Sequence, residues 1–66
     1  MKFIKLTYRL PERFDSVLVM LNTDGICLVT NNEKGGATIT LRAAYDGRFT
    51  LRVDQTMDEI MDMVNK

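Results

Sequence analysis

Two apolar segments, at residues 17–21 (VLVML) and 26–29 (ICLV), constrain the fold of this chain more than any other feature. A strand with one face in water alternates polar and apolar side chains, and neither segment alternates. Both faces of these segments therefore require cover. Because a chain of 66 residues can build only one small core, we expect the second face to contact another subunit or a partner.

Four apolar side chains are candidates for that contact. Three come from the two apolar segments and one lies off the main apolar stripe of a C-terminal helix: Leu18, Met20, Cys27 and Met63. A domain of this size is close to the limit at which a core alone offsets chain entropy. The sequence therefore predicts a homo-oligomer. The alternative, that these are the scattered exposed apolar side chains that most soluble proteins carry, stays open.

Cysteine usage and hydropathy indicate where the protein works. Cys27 is the single cysteine and cannot form an internal disulfide, and its apolar surroundings predict a buried thiol, so a reducing compartment is favoured. No apolar run approaches the roughly 20 residues that span a bilayer, and Lys5 interrupts the N-terminal apolar stretch that a signal peptide needs. We expect a cytoplasmic protein that does not associate with a membrane.

Alternating side chains and turn residues predict five strands, at about residues 2–10, 16–21, 26–30, 37–43 and 49–53. Turn-forming sequences separate them at residues 22–25 (NTDG), 31–36 (NNEKGG) and 45–48 (YDGR). A helix is predicted at about residues 57–64. We expect a single α+β domain, residues 1–66, in which one C-terminal helix covers a five-stranded, mostly antiparallel β meander or a small barrel-like sheet.

The helix carries the clearest local signal. Thr56 and Glu59 fit the capping box, in which each side chain accepts a hydrogen bond from the backbone of the other. Apolar residues then recur at i, i+3, i+4 and i+7, a spacing typical of one helical face. They are Met57, Ile60, Met61 and Val64. We expect this stripe to pack on the sheet.

Catalytic and metal-binding patterns are absent from the sequence. It contains no His, which removes the usual general base, and no nucleophile stands beside a base. The single cysteine and the scattered carboxylates match neither zinc nor calcium spacing. Gly35 and Gly36 are explained by a hairpin turn better than by a phosphate-binding loop. We therefore expect no enzyme activity, no metal and no cofactor.

The polar face of the sheet is the candidate ligand site. Its basic and hydroxyl side chains suit phosphates or carboxylates, and the candidate residues are Lys5, Arg9, Thr40, Arg42 and Arg52. A net charge of zero argues against a protein that coats DNA, so binding of a nucleotide or nucleic acid is the weaker reading. Thr is also common on exposed strands, and basic residues protect sheet edges, so a purely structural role stays open.

Several segments together resemble the small FlbD-type proteins known from flagellar operons and from phage-like contexts. The resemblance covers most of the chain and rests on residues 4–7 (IKLT), on Asn22, Asp24 and Ile26, on residues 38–41 (TITL) after a glycine pair, and on residues 53–60 (VDQTMDEI). It implies a compact β-rich protein of poorly defined accessory function and supplies no catalytic residue.

The resulting functional hypothesis is a non-catalytic, oligomeric accessory or protein-interaction module. The alternative is a phage-encoded or bacterial module that binds a phosphate-bearing ligand or nucleic acid through the basic sheet face. These hypotheses differ in the surface that they use, because the first depends on apolar side chains and the second on arginines.

Overall fold

The structure, a computed structural model, describes residues 2–10 and 15–66. Its elements in chain order are β1 (Phe3–Arg9), β2 (Ser16–Asn22), a 3-10 turn (Thr23–Gly25), β3 (Ile26–Asn31), β4 (Ala37–Tyr45), β5 (Arg48–Val53) and α1 (Met57–Asn65). The five strands form one antiparallel sheet, and α1 follows the last strand. The predicted α+β class, with five strands and one C-terminal helix, is confirmed.

The strand order, β2-β1-β5-β4-β3, requires the sheet to curl. β2 and β3 lie at opposite edges, yet only the three residues of the 3-10 turn connect them. Four residue steps span at most about 14 Å, whereas the edges of a flat five-stranded sheet lie about 19 Å apart. The edges therefore approach each other at this turn, while the sheet stays open because β2 and β3 do not pair.

The concave face of the sheet holds the core. Alternate residues of β1, β4 and β5 supply almost all of it, and α1 adds one side chain: Ile4, Leu6, Tyr8, Ala37, Ile39, Leu41, Leu51, Val53 and Ile60. Val19 and Leu21 of β2 pack against this core while only partly buried. The central strands β1, β4 and β5 thus supply nearly all of the core. The apolar side chains of the edge strand β2 are only partly buried or exposed.

The helix presents a different face to the core from the one that its sequence predicts. Ile60 is buried and Met63 packs beside it, whereas Met61 and Val64 are 55% and 39% exposed. Ile60 and Met63 are three positions apart, so they share one side of the helix. Met63 is therefore partly buried against the core of one protomer, and its place in a subunit contact stays a prediction. The predicted stripe is wrong for Met61 and Val64.

The capping box predicted at the start of α1 is confirmed. The backbone N–H of Glu59 donates to the Thr56 hydroxyl at 3.2 Å, and the N–H of Thr56 donates to the Glu59 carboxylate at 3.0 Å. A third bond comes from outside the helix, since the N–H of Met57 donates to Oδ1 of Asn31 at 3.0 Å. This last bond satisfies another free helical N–H and joins the start of α1 to the end of β3.

Candidate interaction surfaces

β2 forms one of the two free edges of the sheet in the described chain. β2 pairs with β1 in uninterrupted register over all seven residues, and its other side has no neighbouring strand. Natural sheet edges are usually protected by Lys, Pro, bulges or short length. The sequence of Ser16–Asn22, SVLVMLN, contains no charge and no Pro. Its free backbone groups can therefore pair with another strand.

The outer face of β2 is also apolar. Leu18 is 69% exposed and Met20 is 66% exposed, and they lie opposite Thr7 and Lys5 of β1. Phe3, one row further along β1, is also largely exposed. We call the surface formed by Phe3, Leu18 and Met20 the β2 patch. The structure thus places two of the predicted interface residues, Leu18 and Met20, on a continuous exposed surface.

The second free edge, β3, is less regular. Ile26 lies opposite Leu41 and Leu28 opposite Thr40, so Cys27 is an extra residue in a β-bulge. Cys27 is exposed, and the predicted buried thiol is wrong. Because the extra residue has no partner opposite it, the bulge interrupts the alternation of inward and outward side chains along β3. The Cys27 side chain is left exposed as a result. It also lies on a different edge from the β2 patch.

Two apolar grooves adjoin these edges. One, of about 360 Å³, lies between α1 and β3, where Met61 and Val64 face Ile26 and Val29. The other, of about 340 Å³, lies beside β2 and opens toward Leu41, Tyr45 and Leu51. Tyr45 also contacts the buried Tyr8 ring edge to face, with 6.3 Å between ring centroids. Both grooves are open to solvent rather than enclosed.

The basic face brings two of its five predicted residues side by side. Arg9 and Arg52 are direct cross-strand neighbours, and Thr38 continues the row on β4. Arg9 donates to both Asp54 carboxylate oxygens, at 2.7 and 3.1 Å. The hydrogen bond and the negative charge of Asp54 raise the pKa of Arg9 above its ordinary value, so Arg9 stays charged at any physiological pH. The Arg52 side chain makes no hydrogen bond or ion pair with residues 2–10 or 15–66.

The remaining three predicted ligand residues lie apart from this pair. Thr40 is opposite Thr50, in the row beyond Arg52. Lys5 is four residues from Arg9 on the same strand, about 13 Å away. Arg42 is exposed in the segment between Thr40 and Tyr45, where the β4–β5 register shifts. Sequence alternation identified the correct face for β1, but it could not give the register that sets distances along that face.

Sequence reasoning missed the junction between β5 and α1 as a structural unit. The amide of Gln55 accepts from the N–H of Thr7 at 2.9 Å and donates to its hydroxyl at 3.2 Å. The N–H of Asp54 donates to the Thr7 carbonyl at 3.0 Å. The Gln55 side chain thus extends the β1–β5 pairing beyond the last strand residue. A single Gln between a strand and a helix cap carries no sequence signal for this role.

Residues 2–10 and 15–66 contain no cluster of three His, Cys, Asp or Glu side chains placed to hold a metal ion. In that part of the chain, no helix has the length and apolar character needed to cross a bilayer. Comparisons with protein-family models, curated proteins and solved structures found no match. The FlbD-type resemblance therefore stays a prediction.

Proposed function

We propose that this protein is a non-catalytic interaction module that associates with a second copy of itself through β2. The observation that supports this most is an uncharged, regular free edge whose outer side chains, Leu18 and Met20, are about two-thirds exposed. Backbone groups at the edge supply hydrogen bonds, and the apolar side chains exclude water around them. An oligomer of this kind fits an accessory or scaffolding role.

Magnitudes indicate the affinity to expect. Pairing a seven-residue edge adds roughly one hydrogen bond per residue, each with a net contribution of about 0.5–1.5 kcal/mol, and each cross-strand side-chain pair adds about 0.2–1 kcal/mol. Loss of translational and rotational freedom costs about 4–15 kcal/mol. Because these terms are of similar size, the surplus is small: a micromolar Kd, about −8 kcal/mol, requires the favourable end of these ranges, and a nanomolar Kd is not expected.

The Leu18→Lys variant tests the contact. It removes an exposed apolar side chain and adds a charge to an unprotected edge, and in a symmetric contact both copies carry the change. We expect the wild type to sediment as an oligomer at micromolar concentrations and Leu18→Lys to sediment as a monomer. Thr50→Lys is the matched control. The Thr50 side chain is exposed to solvent but lies on β5, a central strand away from the β2 edge, so this variant should leave the oligomer intact.

Two sedimentation results would contradict the proposal. One is a monomeric wild type throughout the micromolar range. The other is an equal loss of association in Leu18→Lys and Thr50→Lys, which would attribute the effect to added charge rather than to β2. Far-UV circular dichroism of each variant separates a loss of association from a loss of fold.

A cytoplasmic location belongs to the same proposal. Cys27 is exposed and free, and exposed thiols persist most readily where the surroundings are reducing. An oxidising compartment would favour a disulfide between copies through this residue. The chemistry of the thiol therefore supports the cytoplasm as the place of action.

A second candidate function uses Arg52, because the Arg9–Arg52 row carries two positive charges and only Arg9 has a carboxylate partner among the described residues. This surface can bind a phosphate group through the guanidinium of Arg52, next to Thr38, whose hydroxyl already donates to Oδ1 of Asn32 at 2.7 Å. Titration with inorganic phosphate, followed by amide NMR shifts, should move Thr38 and Arg52 signals in the wild type. Arg52→Ala should abolish those shifts and Lys66→Ala should not; equal shifts in all three proteins would contradict this function.

A further inference from the structure

We infer that two copies join β2 to β2 in antiparallel orientation around a twofold axis at Val19, an arrangement that rests on the proposed self-association. The two free edges of the sheet differ in their suitability for pairing. β2 holds an unbroken register with β1 over its full length, whereas β3 is bulged at Cys27. A bulge disturbs the edge and discourages regular pairing. The partner of one β2 is therefore the β2 of a second copy.

The sequence of β2 is symmetric in polarity about Val19. Ser16 and Asn22 are polar, and the five residues between them are apolar. With the axis at Val19, Leu18 lies opposite Met20 of the second copy, and Ser16 lies opposite Asn22. Every apolar residue then faces an apolar residue, and each polar end faces a polar end. A twofold contact uses the same surface on both copies, so this self-complementarity is the property it requires.

Neighbouring registers lack this match. Opposed residues in an antiparallel pair must point to the same face of the sheet, so the axis can move only by whole residues. An axis at Leu18 places Ser16 opposite Met20, and an axis at Met20 places Leu18 opposite Asn22. Both arrangements set polar against apolar side chains and leave one end of the strand unpaired. With the axis at Val19, all seven residues of β2 pair, and each residue pairs with one of the same polarity.

The paired edges would form a ten-stranded sheet with one continuous outer surface. On that surface the Leu18 and Met20 side chains of both copies lie beside each other, so each apolar side chain has an apolar neighbour across the new contact. On the concave side, Val17 and Leu21 pair across the axis. The contact therefore covers apolar side chains on both faces of β2. A strand whose edge stays in water would not need apolar side chains on both faces.

Cysteine cross-linking in a Cys27→Ser background tests the register. Directly opposed residues in an antiparallel pair have Cα atoms about 4.5–5.5 Å apart, within the range of disulfides. We expect Val19→Cys to form a disulfide-linked dimer on mild oxidation. Leu18→Cys and Met20→Cys should each cross-link poorly alone. In either single variant the two cysteines, one from each copy, are diagonal neighbours with Cα atoms roughly 8 Å apart, too far for a disulfide. An equimolar mixture of these two variants should cross-link efficiently.

The outcomes separate this inference from the proposed function. Sedimentation as a dimer without cross-linking of Val19→Cys or of the mixture overturns the register and leaves self-association standing. Efficient cross-linking of Leu18→Cys to Leu28→Cys would place β2 against β3 and also overturn it. A monomer at micromolar concentrations overturns both proposals. Cross-linking of Val19→Cys and of the mixture, with little from either single variant, supports the twofold axis at Val19.

Discussion

The Gly36→Ala variant is expected to lose about 2–6 kcal/mol of folding free energy, which combines the cost of a positive φ with that of overpacking. Gly36 has φ +75°, and a Cβ built on it would collide with the backbone carbonyl oxygen of Val53. Val53 cannot withdraw, because β5 holds it between Ala37 and Tyr8. A chain of 66 residues has a total stability of about 3–10 kcal/mol, so the variant should lose a large fraction of its stability.

Two other glycines provide controls for this prediction. Gly35 has φ +102° but open space around its Cβ position, so Gly35→Ala should show the conformational cost without the collision. Gly25 has neither feature, and Gly25→Ala should be neutral or slightly stabilising, because alanine restricts the unfolded chain. Urea denaturation should order the variants Gly25→Ala, Gly35→Ala, Gly36→Ala from most to least stable. Equal losses at Gly35 and Gly36 would show that the collision is relieved.

Local sequence signals predicted the elements of this fold well. Alternation identified the inward residues of β1 and β4, and Ile4, Leu6 and Ile39 are indeed buried. The Asp-Gly pair at the β4–β5 turn forms a two-residue hairpin, with Asp46 at φ 52° and Gly47 at φ 76°. Such turns require positive φ at both positions, and this requirement is visible in the residue types. These features depend on neighbours in the chain.

Features that depend on distant partners could not be read in the same way. The bulge that exposes Cys27 arises from the register between β3 and β4, and no local pattern distinguishes it from a regular strand. The side of α1 that contacts the core depends on how the helix crosses the sheet. Met61, which was expected to pack on the sheet, is exposed, whereas Met63, which was expected to be exposed, packs against the core. Pairing of β1 with β5 joins residues more than 40 positions apart and is equally invisible locally.

The candidate surfaces were likewise predictable only in the features that depend on neighbours in the chain. Leu18 and Met20 could be predicted because a run without alternation must place apolar residues on both faces of an edge strand, and both are exposed. The basic residues could be assigned to a face but not brought into one site. Their separation along the sheet depends on strand register and on the irregular segment around Arg42.

The Ile39→Ala variant should lose about 2–5 kcal/mol of stability, the usual cost of truncating a fully enclosed aliphatic side chain. Ile39 is 0% exposed in the central part of the sheet and lies between Val29 of β3 and Leu51 of β5. These strands are fixed by their own pairing, so they cannot close the space that truncation leaves. Leu28→Ala, next to Val29 but on the exposed side, should change stability by less than about 0.5 kcal/mol.

The comparison requires denaturation at one fixed protein concentration. If copies associate through β2, the oligomer is stabilised by mass action, and the midpoint of unfolding rises with concentration. Ile39→Ala acts on the protomer core, so its loss should persist in the monomeric Leu18→Lys background. Leu18→Lys itself should remove the concentration dependence. A loss from Ile39→Ala that disappears in that background would show that the enclosure of Ile39 depends on the second copy rather than on the curled sheet of one protomer.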